Sequence, residues 1–395
     1  MTRAIRPLHQ ACITGVGLSD VGRALYRDPA DLAIEGCLRA ISDAGLDRAD
    51  VDGLGAFLSG DGSTPALEVQ EALDLELEWF VTTGIGPSQL SALFEAVMAV
   101  ETGRVRHAVV FHASCEGSAR KRLGKGNALP GSADATPARA AGMREHWLPY
   151  GAPSAGNFIS MFARRHFHEY GTTREQMAQI PLVQRRNAML NERAIYASEL
   201  TIEDYLGARM ISDPFCLYDC DVPIDFCSAL VISRLDATSG LARKPILIDA
   251  LGTSMHSRAS WTQFDDLTTM MLRDAAASLW KHTDLRPSDV DIAMLYDGFS
   301  FIAMAWLEAL GFCGKGESGP FIEGGKRISI DGELPVNTYG GQLSAGRMHG
   351  WGYIPEACTQ LWGEGGARQV PGDPSVAVIG AGGGIYAGAV LLTTS

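Results

Sequence analysis

Residues 284–296, DLRPSDVDIAMLY, repeat a pattern that first occurs at residues 46–58, LDRADVDGLGAFL. Each segment contains L-x-x-x-D-V-D and ends in a short apolar run. A helical pattern precedes each of them, at residues 31–44 and at residues 266–280. A helix, a polar connection and a buried strand that recur in this order indicate an internal duplication.

A second pair of segments continues the repeat in the same order. Residues 88–102 have a helical pattern and are followed by an apolar strand pattern at residues 107–112. Residues 353–362 and 375–379 have the same two patterns. Strands that alternate with helices predict parallel pairing, with helices covering the sheet. We therefore expect an α/β protein made of two similar halves.

The halves are residues 1–245 and residues 246–395, and the first contains a long excursion at residues 117–213. This excursion is rich in Arg, Ala, Gly and Pro, and it has a helical pattern at residues 157–170. A bare loop of this length is uncommon inside a compact protein. We expect the excursion to form a cap over the functional site.

The composition favours a folded protein and argues against nucleic-acid binding. Of the 395 residues, 46% are hydrophobic and 20% are charged, which is enough for a large core. The net charge of -13 does not suit a ligand with a phosphate backbone. The sequence has no apolar run of signal-peptide or membrane-spanning length, and its eight cysteines are scattered. We expect a cytoplasmic protein with reduced thiols, no metal site and no membrane insertion.

The elbow (residues 82–88) is the first of four segments that could carry chemistry. A strand pattern enters it, and the helical pattern of residues 88–102 leaves it. A tight glycine turn between a strand and a helix often positions a catalytic nucleophile. The turn contains Gly84, Gly86 and Ser88, and it has no cysteine.

The other three segments combine glycines with polar side chains. They are the tyrosine turn (residues 295–300, LYDGFS), the glycine loop (residues 336–353) and the C-terminal glycine run (residues 376–384). The last does not fit a dinucleotide site, because position 385 is Ile and only eleven residues follow Gly384, too few for a crossover helix and a next strand. Its glycines instead suit the approach of backbone N–H groups to a developing oxyanion.

These segments resemble the motifs of the thiolase superfamily, in its sterol-carrier-protein thiolase-like branch. The GG-x-x-x-x-G motif of that family matches Gly340, Gly341 and Gly346, and its C-x-G-G-G motif matches residues 380–384. Asn337 and the elbow match two further motifs in the same order along the chain. The resemblance implies a five-layer α/β/α/β/α fold.

The resemblance also implies that the residues of covalent thiolase chemistry are missing. Gly86 stands where the acyl-carrying cysteine is expected, Gly380 where the second cysteine is expected, and Arg347 where a histidine is expected. Steroid side-chain aldolases of this branch are similar, since they have glycine in the elbow and use tyrosines as acid and base. One of those tyrosines lies in a Y-D-x-F segment, which Tyr296 and Asp297 match, and the second falls at Arg347.

We therefore expect a retro-aldol lyase that cleaves a β-hydroxyacyl-CoA with a steroid or other bulky side chain. Arg347 could instead hold a phosphate or oxyanion, His349 or Tyr353 could supply a proton, and Asp297 could orient the site. The expected catalytic residues are Tyr296, Asp297, Arg347, His349 and Tyr353. The expected oxyanion and substrate-binding residues are Gly86, Ser88, Asn337, Gly340, Gly341, Gly382, Gly383 and Gly384.

Two other functions remain open at the level of sequence. One is an acyltransferase that uses Ser88 or Cys115 as nucleophile or transfers the acyl group directly. The other is a non-catalytic acyl-CoA or lipid-binding subunit. The resemblance further implies a homodimer formed through an edge strand, a small OB-fold zinc-ribbon partner, and coenzyme A bound under the cap as part of the substrate. No cofactor bound by the chain itself is expected.

Overall fold

A computed structural model describes residues 8, 10–60, 62–84, 88–123, 143–256, 258 and 260–394. Within these ranges the strands are β1 Ala11–Leu18, β2 Gly53–Phe57, β3 Trp79–Thr83, β4 His107–Cys115, β5 Met210–Ser212, β6 Phe215–Cys216, β7 Asp225–Arg234, β8 Ile246–Gly252, β9 Ile292–Leu295, β10 Val376–Gly383 and β11 Tyr386–Thr394. The α-helices in the same ranges are α1 Pro29–Ala44, α2 Ala66–Leu73, α3 Ser91–Glu101, α4 Glu116–Leu123, α5 Met143–Trp147, α6 Ala155–Tyr170, α7 Arg174–Met177, α8 Gln179–Ala188, α9 Ile202–Gly207, α10 Leu272–Trp280, α11 Ser300–Ala309, α12 Ser318–Ile322 and α13 Tyr353–Leu361.

The strand pairing repeats between the two halves. The large sheet has the order β3-β2-β4-β7-β1-β8-β11-β10-β9, and β5 and β6 form a separate ribbon. β2 and β4 pair in parallel, as β9 and β10 do. The pairs β4–β7 and β7–β1 are antiparallel, as are β10–β11 and β11–β8. The duplication that the sequence predicts is thus present in the topology.

The halves meet where β1 pairs with β8 through two residue pairs, Cys12 with Leu247 and Ile13 with Ile246. α1 covers β1, β4 and β7, while α10 covers β8, β10 and β11. α3 contacts β2 and β4, and its Phe94 also reaches Gly388 of β11. α13 contacts β9 and β10 of its own half and β1 of the other. Helices therefore lie outside and between the two halves, which gives the expected α/β/α/β/α layers.

β4 shows why the sequences of these strands are continuous apolar runs. All nine of its residues are buried. Val109 and Phe111 pack in the core under α1 and α2, whereas Ala108 and Val110 pack in the core that contains α3. Because successive side chains of a strand point to opposite faces, a strand between two helix layers must be apolar on both.

α1 has sequence signals at both ends. Asp28 precedes the helix, and its carboxylate accepts a hydrogen bond from the Ala30 N–H at 2.8 Å. Pro29 occupies the first turn, where its missing N–H costs nothing. Gly45 ends the helix with a φ of +75°, a left-handed conformation that glycine adopts without strain.

The described part of the predicted cap is mainly helical and contacts the glycine loop. The helical pattern at residues 157–170 falls within α6. Arg185 of α8 donates to the Ser344 hydroxyl at 2.9 Å, and Asn187 of α8 donates to the Asn337 carbonyl at 3.2 Å. Residues 124–142 of the cap lie outside the described residues.

The C-terminal glycine run differs from the expectation. A strand, β11, does follow Gly384, and it pairs antiparallel with β10 through a hairpin, in which Gly383 pairs with Tyr386. A hairpin needs only two connecting residues, so the short remaining length of chain did not prevent another strand. Among the described helices, none combines the length and apolar character needed to cross a bilayer.

Candidate active site

The elbow, the tyrosine turn and the C-terminal glycine run meet at Tyr296. Its backbone N–H donates to the Gly380 carbonyl at 2.8 Å, which places it directly after β9 and beside β10. Its hydroxyl accepts a hydrogen bond from Nε2 of Gln89 at 3.0 Å. Gln89 comes directly after the elbow residue Ser88. The Tyr296 side chain is 7% exposed, so it lies in a nearly closed space.

The Tyr296 phenol is neutral at physiological pH. Burial raises its pKa, and the negative charge of Asp221 raises it further. The hydrogen bond from Gln89 and the charge of Arg347 act in the opposite direction without reversing the shift. A neutral phenol with raised pKa is a proton donor rather than a resident base.

Asp297 holds the glycine loop in place. Its carboxylate is buried and accepts the backbone N–H groups of Gln342 at 3.0 Å and Leu343 at 3.2 Å. A Cβ at Gly341 would overlap this carboxylate, so glycine is required there. Burial raises the pKa of Asp297 to about 6, although these hydrogen bonds oppose the shift. The geometry gives Asp297 a positioning role in the glycine loop.

Tyr353 is placed differently from the expectation that it supplies a proton. It is fully buried, and its hydroxyl donates to the Asp297 carboxylate while accepting the Asp297 N–H at 3.1 Å. Burial raises its pKa, and the charge of Asp297 adds to the shift. A phenol that is bound on both sides is a poor acid for a substrate, and we regard Tyr353 as a support for Asp297.

Arg347 lies between two carboxylates. One of its terminal nitrogens donates to Asp221 at 3.0 Å, and the other forms an ion pair with Glu116. Its side chain is 13% exposed. Two carboxylates already neutralise the guanidinium, which makes it unsuited to a phosphate group, contrary to one of the expectations. Its Nε has no hydrogen-bond partner among the described residues and lies outside both ion pairs, so it can donate to an oxyanion.

His349 packs against a second histidine that the sequence did not mark. The rings of His349 and His112 are 5.6 Å apart, and Nε2 of His349 lies 3.8 Å from Glu116. Burial lowers the pKa of both imidazoles. His112 binds the Phe57 carbonyl through Nδ1 at 2.9 Å, and Nδ1 of His349 has no partner among the described residues. His349 is a neutral base with one free nitrogen.

Asn337 was expected among the substrate-binding residues, but the structure gives it another role. Its side-chain oxygen accepts the Leu295 N–H at 2.8 Å, and its side-chain nitrogen donates to the Leu295 carbonyl at 2.8 Å. The amide thus extends the pairing of β9, and the fully buried side chain is held by the Leu295 backbone. Gly340 has a φ of +106°, and Ala188 of α8 fills the space that a side chain there would need.

The C-terminal glycine run is packed against aromatic rings. A Cβ at Gly380 would lie 2.6 Å from the Trp306 ring, and a Cβ at Gly384 would overlap Trp261. The Trp306 N–H donates to the Gly382 carbonyl at 3.0 Å. The Gly384 N–H donates to the sulfur of Met270 at 3.0 Å, so this group is not free for an oxyanion as was expected. Gly383 packs against Ile302 of α11.

The two candidate nucleophiles of the acyltransferase alternative are both engaged elsewhere. Ser88 is fully buried, and its hydroxyl accepts the Leu90 N–H at 3.2 Å ahead of α3. Cys115 packs in the outer core with α1 and α2, and burial raises the pKa of its thiol to about 12. Gly86, the expected site of the missing cysteine, lies outside the described residues.

Unpartnered buried polar atoms concentrate around Tyr296. Among the described residues they include Gln89 Oε1, His112 Nε2, Gln342 Nε2, Arg347 Nε and His349 Nδ1. Buried polar groups are nearly always hydrogen-bonded in folded proteins, so such a concentration marks a place where a ligand or water completes the bonds. No group of three or more His, Cys, Asp or Glu side chains in the described ranges could hold a metal ion.

Three residues of this site were missed at the sequence level, namely Gln89, Glu116 and Asp221. Gln89 is the second residue after Pro87, and Glu116 and Asp221 are separated by more than a hundred positions. Neither carboxylate belongs to a recognisable spacing with Arg347.

The fold and the site define a thiolase-like protein that has glycine at position 380, beside Tyr296. A family model described as "Thiolase C-terminal domain-like" matches residues 253–394. The chain is 33% identical to the steroid side-chain-cleaving aldolase of Thermomonospora curvata, covering 97% of each chain. It is 34% identical to the 17-hydroxy-3-oxo-4-pregnene-20-carboxyl-CoA lyase of Mycobacterium tuberculosis, over 90% of this chain and 92% of the relative.

A solved structure titled "Ltp2-ChsH2(DUF35) aldolase" superposes with a TM-score of 0.86 and 31% identity, covering 98% of each chain. The chain therefore belongs to the thiolase superfamily, in its sterol-carrier-protein thiolase-like branch. Within it, the chain is a carbon–carbon lyase of the aldolase type.

Proposed function

We propose that the protein cleaves a β-hydroxyacyl-CoA by a retro-aldol reaction and that coenzyme A enters as part of the substrate. The observation that carries this proposal is the pairing of Gly380 with Trp306. The indole fills the space beside Gly380, so a thiol cannot stand there without rearrangement. The neutral Tyr296 lies beside it, since the Tyr296 N–H donates to the Gly380 carbonyl at 2.8 Å.

A retro-aldol cleavage needs what this site contains and does not need a covalent intermediate. A base removes the proton of the β-hydroxyl group, the bond between the α- and β-carbons breaks, and a carbonyl forms at the β-carbon. The electron pair passes to the thioester as an enolate, which hydrogen-bond donors stabilise, and an acid protonates the α-carbon. Tyr296 is suited to the acid role because its phenol stays protonated.

The relatives favour a bulky acyl group with a hydroxyl on the β-carbon. The lyase of Mycobacterium tuberculosis is named for a pregnene with a 17-hydroxy group and a 20-carboxyl-CoA group. Carbon 20 is then the α-carbon and carbon 17 the β-carbon, as a retro-aldol substrate requires. We infer a steroid or similarly bulky β-hydroxyacyl-CoA for this chain, with the coenzyme A moiety under the cap.

We also infer two protein partners. The solved relative is titled as a complex with a DUF35 protein, which supports a small OB-fold zinc-ribbon subunit here. A homodimer through β3 is supported by the position of that strand at one edge of the sheet and by Phe80, which is 57% exposed there. An exposed edge strand with an apolar side chain is a surface that proteins usually cover.

The acyltransferase alternative lacks support from geometry, because neither Ser88 nor Cys115 is free to attack a thioester. Intact-mass analysis after incubation with acyl-CoA tests it directly, and an acyl adduct on either residue would favour the transferase over the lyase. A non-catalytic subunit would bind acyl-CoA tightly and release no product even in the complete complex.

The lyase is tested with the purified protein, co-expressed with its DUF35-type partner, and 17-hydroxy-3-oxo-4-pregnene-20-carboxyl-CoA together with a panel of simpler β-hydroxyacyl-CoA thioesters. We expect release of a ketone or aldehyde and a shorter acyl-CoA, measured by mass spectrometry. Tyr296→Phe should lower kcat by about 10²- to 10⁴-fold, the usual contribution of a proton-transfer group. Absence of cleavage with every thioester, or unchanged kcat in Tyr296→Phe, contradicts the proposal.

A further inference from the structure

The strap (residues 220–224) joins the two parts of the site that the sequence analysis treated separately. On one side, Cys220 forms a β-bridge with Phe299, and the Asp221 N–H donates to the Gly298 carbonyl at 3.2 Å. On the other side, the Val222 N–H donates to Gln342 at 3.3 Å, and its carbonyl accepts the Arg347 N–H at 2.7 Å. The strap therefore fixes Asp221 between the tyrosine turn and the glycine loop.

The Asp221 carboxylate is only half paired. Its Oδ1 accepts a hydrogen bond from Arg347 at 3.0 Å. No described residue donates a hydrogen bond to its Oδ2, and the side chain is 9% exposed, so this oxygen is not fully buried. A carboxylate oxygen that is not fully buried and has no protein donor is available to accept a hydrogen bond from a ligand. A substrate hydroxyl group is such a donor.

The surroundings hold Asp221 close to neutrality. Burial raises its pKa to about 7, and Arg347 opposes this shift. The negative charges of Glu116 and Asp297 raise the pKa further, while Arg120 lowers it. The negative charge of Asp221 in turn raises the pKa of the Tyr296 phenol, which is neutral. A base works best when its pKa lies near the working pH, which is the case here.

We propose that Asp221 is the general base of the cleavage and that Tyr296 is the general acid. This inference rests on the proposed retro-aldol function and assigns its second proton-transfer group. Asp221 takes the role that the family resemblance implies for a second tyrosine, whose expected position is Arg347 in this chain. Arg347 is then a positioning residue, anchored by Glu116 on its other side.

The proton transfers of this scheme balance without any further reactant. The ionised Asp221 carboxylate takes the β-hydroxyl proton, and the bond between the α- and β-carbons breaks to give the carbonyl product and the thioester enolate. The Tyr296 phenol protonates the α-carbon and becomes a phenolate. The protonated Asp221 then returns its proton to Tyr296, because the pKa of the buried phenol is higher than that of the carboxyl group. Both residues are restored.

The test is the pH dependence of kcat/KM in the complex with its partner. Activity requires ionised Asp221, so kcat/KM should rise through an acidic limb near the pKa of Asp221. Asp221→Asn should lower kcat by about 10²- to 10⁴-fold and remove this limb. Arg347→Met removes a cation that lowers the pKa and should move the limb to higher pH. Glu116→Gln removes an anion that raises it and should move the limb to lower pH.

These opposite shifts distinguish a base from a residue that only supports the fold, since loss of packing would lower activity without moving the limb. A second measurement does not depend on turnover. Infrared difference spectra of the unliganded protein should show a carboxyl band titrating near pH 7 that is lost in Asp221→Asn and retained in Asp297→Asn, in addition to the band of Asp297 near pH 6.

The outcomes separate the two proposals. A wild-type complex that cleaves no thioester but shows the Asp221 carboxyl band contradicts the lyase and leaves the assignment of a titrating Asp221 supported. Cleavage by the wild type with an unchanged acidic limb in Asp221→Asn overturns the assignment and leaves the lyase standing. Absence of the carboxyl band in the wild type also overturns it, whatever the turnover.

Discussion

The indole ring of Trp306 lies against Gly380, so close that a Cβ at position 380 would be 2.6 Å from the ring. Trp306 is fully buried in α11, and its N–H donates to the Gly382 carbonyl at 3.0 Å. The tryptophan thus occupies the space of a thiol and ties down the backbone that would have carried it. Glycine at 380 is required by packing, and reversal of one substitution cannot restore a thiolase site.

Gly380→Cys should lower the free energy of unfolding by about 1–3 kcal/mol, because the new side chain must displace the Trp306 ring in a filled core. It should confer no thiolase activity. Denaturant unfolding measures the first effect and a thiolysis assay the second. Gly207→Ala is the matched control, since no atom lies within 4 Å of its Cβ position. Equal stability of Gly380→Cys and the wild type would contradict this packing argument.

Gln89→Leu should lower kcat by about tenfold with little change in KM, since a single hydrogen bond to a reacting group is usually worth about 1.5 kcal/mol. The Gln89 amide donates to the Tyr296 hydroxyl and lowers the pKa of the phenol. Its loss should move the pKa of Tyr296 further up and make the phenol a weaker acid. Steady-state kinetics with the cleaved thioester measures the effect. A change confined to KM would show that Gln89 binds substrate and does not tune Tyr296.

Much of the fold follows from local patterns. The two L-x-x-x-D-V-D segments precede β2 and β9, and the helical patterns at residues 88–102 and 353–362 correspond to α3 and α13. Such elements are predictable because a buried strand or an amphipathic helix depends on residues that are adjacent in sequence. β11 was missed because the sequence analysis considered a further strand only after a crossover helix. A short hairpin connects β10 to β11 instead.

The site was less predictable, since its assignments depend on hydrogen bonds between distant segments. Tyr353 and Asn337 are polar residues in the right motif, but their groups bind Asp297 and Leu295. Asp221 lies outside all four segments and reaches the site through its backbone bond to Gly298. A sequence shows which polar groups are present and does not show which of them are already satisfied.

Phe80→Asp should convert the proposed homodimer into monomers, because it places a charge on an edge strand that the partner copy would cover. Phe80 is 57% exposed in β3, which has a strand neighbour on one side only. Sedimentation velocity measures the change in mass. Met161→Asp, at another exposed apolar residue on α6, is the matched control. If both variants and the wild type sediment alike, the dimer does not form through β3.

Glu308→Gln should destabilise the protein near neutral pH, and about half of this effect should be lost near pH 3. Glu308 of α11 is 3% exposed and ties the cap to the second half, since it binds His166 of α6 at 2.8 Å. Ser318 and Lys315 also donate to its carboxylate, at 2.6 Å and 3.1 Å. Burial raises the pKa of Glu308, but the hydrogen bond from His166 and the charge of Lys315 outweigh burial and lower the pKa to about 2.

The lowered pKa of Glu308 decides how its contribution to stability changes with pH. The unfolded carboxyl group has a pKa of about 4.3, so its ionised form stabilises the fold above that pH, and this contribution is lost as the pH falls towards about 2. The difference of about two units corresponds to about 3 kcal/mol at pH 7, which should fall to about half near pH 3. Urea unfolding of Glu308→Gln and wild type at both pH values measures it, with the exposed Glu71→Gln as the control. A gap in stability that stays constant between the two pH values would show that Glu308 acts through packing and not through its charge.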